Sequence, residues 1–262
     1  MSAHFLGIDL GSSYTKLVAI DNAGKTVYVK AVPTLSRKRE AFETAMFEVR
    51  SQGEIGCTCA TGYGRRNIES DLQKTELVCA SAGVSMMHPT HKCILDIGGE
   101  DIKIIESGAD GAVISFFMND KCSAGTGTFI TEIAERAELD AAEMGPLARR
   151  SQSERTMNSF CTVFAKSEIL GWKFEGAPIE ELAKGIYLSV VDRVRKLPIK
   201  RDLPLFLCGG VIAFHPYLGE LISERMQVHM QVVAQPQFAV ALGAAVLARN
   251  DALKRDVSKE GI

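Results

Sequence analysis

One short unit occurs twice in this chain, and that repetition limits the fold more than any other feature. From Phe5 to Val32 apolar residues alternate or cluster in β-branched runs, broken at Gly11-Ser12-Ser13 and at Asp21-Asn22-Ala23-Gly24. The pattern predicts three antiparallel strands joined by two turns. From Cys93 to Met118 the pattern returns: a strand to Ile97, a turn at Gly98-Gly99, a strand from Asp101 to Glu106, a turn at 107–111 and a strand from Ala112. Asp9-Leu10-Gly11 and Asp96-Ile97-Gly98 hold matching places, 87 positions apart. Two copies of one strand-turn-strand unit imply a duplicated α/β architecture.

The intervening segments read as helix and strand in turn. Helical spacing runs from about 37 to 51, a buried strand from 55 to 61, and a second helix from 76 to 87, before His88-Pro89. Beyond Asn119 helices are expected at 126–139, 162–171 and 179–197, then strands at 205–208 and 228–233 and a small-residue helix at 237–250. The expected domains are 1–90 and 91–236, with 237–262 packing back on the first.

Composition narrows the class. At 262 residues, one to two domains are expected. With 46% hydrophobic and 24% charged residues the chain is not disordered. Thirty Lys and Arg against 32 Asp and Glu leave a net charge of −2, so neither nucleic acid nor an anionic membrane is an expected partner. No apolar run reaches the roughly 18 residues of a membrane helix, and the start of the chain has no secretory pattern. A cytoplasmic protein is expected. The seven cysteines are odd in number and show no dense spacing, which favours reduced thiols. The five histidines form no metal spacing and are expected at surfaces or turns.

The loops carry the candidate chemistry. In Gly7-Ile8-Asp9-Leu10-Gly11-Ser12-Ser13-Tyr14-Thr15-Lys16 a tight turn offers N–H and hydroxyl donors to a phosphate. Asp9 ends the strand where it can hold magnesium through water, and Lys16 is a candidate phosphate contact. The second loop offers Asp96, Gly98, Gly99 and Glu100. Cys208-Gly209-Gly210-Val211 is a strand end where a nucleoside can approach the backbone, followed by Pro236-Gln237-Phe238. The small residues 241–245 also suit close helix packing.

This order of two phosphate loops and a late Gly-Gly resembles the actin, Hsp70 and sugar-kinase superfamily. The resemblance implies a duplicated ribonuclease-H-like fold whose two domains enclose ATP and magnesium. Within it the chain is most similar to the ATPase activators of 2-hydroxyacyl-CoA dehydratases and the related ATPase subunits of benzoyl-CoA reductase. The matching segments are Ile8 to Ser12, Ala60-Thr61-Gly62-Tyr63-Gly64-Arg65, Asp96 to Gly99, Asn119-Asp120-Lys121-Cys122-Ser123-Ala124-Gly125-Thr126-Gly127, Cys161-Thr162-Val163-Phe164-Ala165-Lys166-Ser167-Glu168 and Gly209-Gly210-Val211. The two cysteine motifs are the specific ones, because nucleotide clefts are common.

The resemblance implies that Cys122 and Cys161 are ligands of a 4Fe-4S cluster shared by two subunits, since one chain offers two thiolates and such a cluster takes four. Helix starts near Thr126 and Thr162, with the N–H groups of Gly125 and Gly127, would stabilise its anionic charge. It further implies a homodimer or a heterodimer with a paralogue, reduced ferredoxin or flavodoxin as electron source, and an iron-sulfur dehydratase or reductase as acceptor. Asp9, Asp96 and Glu100 become the catalytic candidates. Gly11, Ser12, Ser13, Lys16, Gly98, Gly99, Gly125, Thr126, Gly127, Gly209, Gly210 and Gln237 become the ATP/ADP and cofactor contacts. Two departures stand out: Glu100 occupies a place where many relatives carry glutamine, and Lys166 one where many carry an acid. Cys57, Cys59, Cys79, Cys93 and Cys208 are expected as buried packing residues. The alternative is a small-molecule kinase of the same superfamily, acting on a sugar or carboxylate; it leaves both cysteine motifs unexplained.

Overall fold

A computed structural model describes residues 4–34, 40–119, 126–158 and 161–260. The chain opens with β1 (His4–Leu10), β2 (Tyr14–Ile20), β3 (Thr26–Pro33), α1 (Glu40–Ser51), β4 (Ile55–Thr61), β5 (Leu72–Gln73) and α2 (Glu76–Met87). It continues through β6 (Lys92–Ile97), β7 (Ile102–Ser107), β8 (Val113–Met118), α3 (Gly127–Ala137), α4 (Met144–Arg150), α5 (Thr162–Phe174) and α6 (Ile179–Val194). It closes with β9 (Leu205–Cys208), α7 (Gly210–Phe214), α8 (Pro216–Met226), β10 (Met230–Val232) and α9 (Ala239–Glu260).

The two sheets have the same strand plan. One runs β3-β2-β1-β4-β5 and the other β8-β7-β6-β9-β10, so β6 takes the central place of β1 and β9 that of β4. In each, a central strand lies parallel to a neighbour that arrives after a crossover: β1 beside β4, and β6 beside β9. Registers agree as well, with Asp9 opposite Thr61 and Asp96 opposite Cys208. The repeat in the sequence is therefore a repeat of topology. The shared plan is that of the ribonuclease-H-like α/β class expected from the sequence.

Two compact units result, Met1–Lys92 with Ile105–Phe116 and Val233–Ile262, and Cys93–Ile104 with Phe117–Val232. Residues 105–116 join the first unit because the β7–β8 turn is bonded to α2: Ser81 Oγ donates to the Gly111 carbonyl (2.8 Å) and lies 2.6 Å from Ser107 Oγ. Buried Lys92 adds bonds to Ser85 Oγ (2.7 Å) and the Thr90 carbonyl (2.8 Å). Helix α9 packs on α2, β1 and β4 within this unit. Its small residues are required there, since a Cβ on Gly243 would lie 1.7 Å from the Cys79 carbonyl oxygen. The core of the second unit gathers around α6, which is buried along most of its length.

Some elements differ from the sequence reading. α9 begins at Ala239 and runs past Asn250 through a polar stretch with an Asp251–Arg255 ion pair, where apolar periodicity has ended. α4 and α8 have no counterpart among the expected helices; α8 begins with Pro216 at its first turn, where a missing N–H costs nothing. Two histidines are buried instead of lying at the surface. His4 forms part of β1, and His215 is bonded through Nδ1 to the hydroxyl of fully buried Tyr187 at 2.8 Å. Burial holds the His215 imidazole below its ordinary pKa. Among the described residues, no helix is long and apolar enough to cross a membrane.

Candidate functional site

The first unit presents one carboxylate on a braced loop. Asp9 is buried near the end of β1, and Lys16 Nζ, reaching back from β2, meets Asp9 Oδ2 at 3.1 Å. Asp9 Oδ1 is buried and has no hydrogen-bond partner. A buried carboxylate oxygen in that state is costly unless a cation or ordered water completes it. Thr34 fixes the loop, donating its hydroxyl to the Gly11 carbonyl (2.8 Å) and its N–H to the Ser13 carbonyl (3.0 Å). Gly11 and Ser12 are half-buried and Ser13 is exposed, so their N–H and hydroxyl groups remain within reach of a ligand. Gly62 follows β4 with φ +90, and a Cβ there would meet Leu10 O at 2.5 Å and Asp9 Oδ1 at 2.7 Å.

The second unit repeats the arrangement. Asp96 is buried near the end of β6, and Lys103 lies 3.9 Å from its Oδ2. Lys103 also pairs with Asp101 at 2.5 Å. Gly209 follows β9 with φ +102, and its Cβ would meet Ile97 O at 2.3 Å and Asp96 Oδ1 at 2.5 Å. Gly62 and Gly209 are thus equivalent: in each half only a residue without a side chain lets the parallel strand pass beside the carboxylate. The Cys208 thiol, opposite Asp96, is pushed well up by burial and then by the Asp96 charge, so it stays protonated. Glu100 is exposed at the tip of the second loop. Gly210 opens α7, and half-buried Gln237 lies in a single 3-10 turn, Pro236–Phe238, of the first unit.

The segment that bears Cys122 is held on one flank by the first residue of β7 and on the other by the second loop. On the near side, Asn119 Oδ1 accepts the N–H of Ile102 at 2.7 Å, and the Asn119 N–H donates to the Ile102 carbonyl at 3.1 Å. On the far side, the first amides of α3 are capped by the loop: Gly127 N–H donates to Gly98 O (3.0 Å) and Thr128 N–H to Gly99 O (2.8 Å). This corrects one expectation. The Gly127 amide is engaged by the loop, as orphan helix amides require, and so ties α3 to the loop instead of being offered to an anion. Thr126 is buried just before it. Cys122 and Gly125 lie outside the described residues.

Cys161 is exposed and stands immediately before α5, its carbonyl accepting the Ala165 N–H at 2.8 Å. Glu168 holds the preceding turn by accepting both the backbone and the side-chain N–H of Asn158 (2.9 and 3.1 Å). Lys166 pairs with Glu132 at 2.5 Å and Lys173 with Glu138 at 2.9 Å, so ion pairs link α3 to α5. The basic residue at 166 therefore has an acidic partner on α3. Cys57, Cys59, Cys79, Cys93 and Cys208 are buried, as expected. Among the described residues, no three His, Cys, Asp or Glu side chains cluster to hold a metal.

Sequence reasoning missed Lys103, Gly62 and the role of Asn119. Lys103 and Lys16 are themselves 87 positions apart, so the repeat already contained that signal. The glycines become visible only when the strand register is known.

The pattern of the BadF/BadG/BcrA/BcrD ATPase family matches residues 6–248. The chain belongs to this family. It is accordingly an ATPase, and its relatives include the activator of 2-hydroxyisocaproyl-CoA dehydratase from Clostridioides difficile, 34% identical over 94% of this chain and 95% of that one. The activator of lactoyl-CoA dehydratase from Anaerotignum propionicum is 35% identical over 95% and 99%. A solved structure of the Clostridium difficile activator with bound ADPNP superposes with a TM-score of 0.87 at 31% identity, covering 100% of this chain and 98% of that one. A glucokinase of Streptomyces griseus, at 14% identity and a TM-score of 0.54, shares the fold alone.

Proposed function

We propose that this member of the family is an ATP-dependent activator that passes one low-potential electron to an iron-sulfur dehydratase or a benzoyl-CoA reductase-like partner. The observation that carries the reading is the attachment of the second loop to the start of α3, at Gly127 and Thr128, while Asn119 on the other side of the Cys122 segment is bonded to Ile102, where β7 leaves that loop. A loop that shifts with the state of a nucleotide cannot do so without moving the start of α3, just beyond that segment. Ligands act on an equilibrium only through such differences between states.

In this reading the Gly11, Ser12 and Ser13 donors, Lys16 and the Gly98-Gly99 turn hold the phosphates. Asp9 and Asp96 hold the waters of Mg2+, and the orphaned Asp9 Oδ1 fits that role. Glu100 orients the attacking water. Gly209, Gly210 and Gln237 lie against the nucleoside. Cys122 and Cys161 of each of two copies hold one 4Fe-4S cluster, and the exposure of Cys161 beside a helix start fits ligation shared with a second copy. Such a cluster, when bound, supplies a one-electron carrier of low potential, reduced by ferredoxin or flavodoxin. Moving one electron uphill costs about 2.3 kcal/mol per 100 mV, so a few hundred millivolts lie within the reach of one or two ATP.

Replacement of Cys122 or Cys161 by serine tests the assignment. Both variants are expected to lose iron and electron delivery while still binding ATP. Full iron content in both would refute the ligand assignment, and phosphoryl transfer to a sugar by iron-free protein would support a kinase instead.

A further inference from the structure

We infer that Lys103 is a positioning residue for Asp96, the counterpart in the second half-site of Lys16 in the first. This rests on the ATP-binding reading above. The two lysines occupy equivalent places, each on the strand after its loop and seven positions beyond the carboxylate it meets. Their surroundings differ. Lys16 has a side chain 17% exposed and pairs with Asp9. Lys103 is only 3% exposed and lies between Asp96 and Asp101.

That difference assigns different work to two similar ammonium groups. A lysine that has lost nearly all its water needs acceptors around its ammonium, and those of Lys103 are two carboxylates. Lys103 is held by its neighbours and out of a ligand's reach. Its charge keeps Asp96 and Asp101 from repelling one another and fixes the direction in which Asp96 presents its other oxygen. Lys16 keeps solvent access and hence the ability to meet a phosphate. Removing Lys103 therefore disturbs the orientation of Asp96 in the transition state and leaves nucleotide affinity nearly untouched. Removing Lys16 weakens binding itself.

The test compares Lys103→Met, Lys103→Arg and Lys16→Met in the full-length protein, with ATP affinity from equilibrium dialysis and kcat and KM from phosphate release at saturating Mg2+. Lys103→Met is expected to lower kcat about 50-fold with KM within about threefold, the signature of an interaction that acts in the transition state. Lys103→Arg, which keeps the charge, is expected to return kcat to within about fivefold of the starting protein, and Lys16→Met to weaken ATP binding about tenfold. If Lys103→Met does not give a cooperative melt, Lys103→Gln, which keeps a hydrogen-bonding head, takes its place with the same expected split. A neutral variant with unchanged kcat overturns the inference, as does one whose only defect is the affinity loss seen for Lys16→Met. Absence of ATP binding in the unmodified protein overturns the nucleotide reading itself.

Discussion

The two half-sites share backbone plan, carboxylate, lysine and left-handed glycine, yet differ at the loop tips. After the strand end the first reads Gly11-Ser12-Ser13-Tyr14 and the second Gly98-Gly99-Glu100-Asp101. In the first, one carboxylate, Asp9, meets one lysine, Lys16; in the second, two carboxylates, Asp96 and Asp101, meet one buried lysine, Lys103. Each loop thus offers a strand-end carboxylate to a cation's waters, and the first adds serine hydroxyls that suit an anion. The second loop also caps α3, the helix that follows the Cys122 segment, through Gly127 and Thr128. Duplication supplied the scaffold, and substitution at a few tip residues divided the labour.

The strongest way to break this comparison is to neutralise each strand-end carboxylate in turn. Asp9→Asn and Asp96→Asn are each expected to lower ATP hydrolysis about 100-fold or more, the usual scale for loss of one electrostatic group at a reacting centre. A large loss in one and none in the other would show that the halves do not act together. Next come the equivalent glycines. Gly62→Ala and Gly209→Ala each force a Cβ to within 2.7 Å of a buried aspartate oxygen at a positive φ, and each is expected to cost about 3 kcal/mol in chemical denaturation. A tolerated Gly209→Ala would deny the equivalence.

Smaller effects sharpen the contrast. The second half-site is followed by α7, whose C-terminal His215 is buried against Tyr187; the first is followed by a 3-10 turn, Arg65–Asn67, with no buried residue. Burial depresses the His215 pKa below its ordinary value of 6.5. The unfolded chain therefore takes up a proton first as pH falls, and this contribution to stability, complete above about pH 6.5, declines below it. Stability is expected to fall as pH drops below about 6.5, and His215→Asn should reduce that fall. The smallest effect is expected of Lys166→Glu, which sets two acids together on a half-exposed surface and should cost less than about 1 kcal/mol.

Much of this was legible from residues alone because the constraints are local. The 87-residue repeat survives in sequence since each copy needs a strand, a carboxylate and a glycine turn in fixed order. Helix α2 was equally plain, with Thr75 accepting the Val78 N–H at its start and His88-Pro89 beyond its end. Helix α4 was not, because Gly145-Pro146 punctuates a segment of only seven residues; the proline falls in the first turn, where its missing donor has no partner to lose. The placement of Gly62, Gly209 and Asn119 depends on register between strands far apart in the chain, which no local pattern encodes. The Gly127 amide was misjudged for a related reason: its acceptor, Gly98, lies 29 residues away.

The most direct measurement of the central claim is the rate at which a chelator removes iron from anaerobically prepared protein, compared without nucleotide, with MgADP and with MgATP. If the second loop moves the cysteine segment, the MgATP rate should differ several-fold from the other two, and this dependence should vanish in Asp96→Asn. Iron that leaves at one rate in all three states, or protein that never contains iron, would contradict the account.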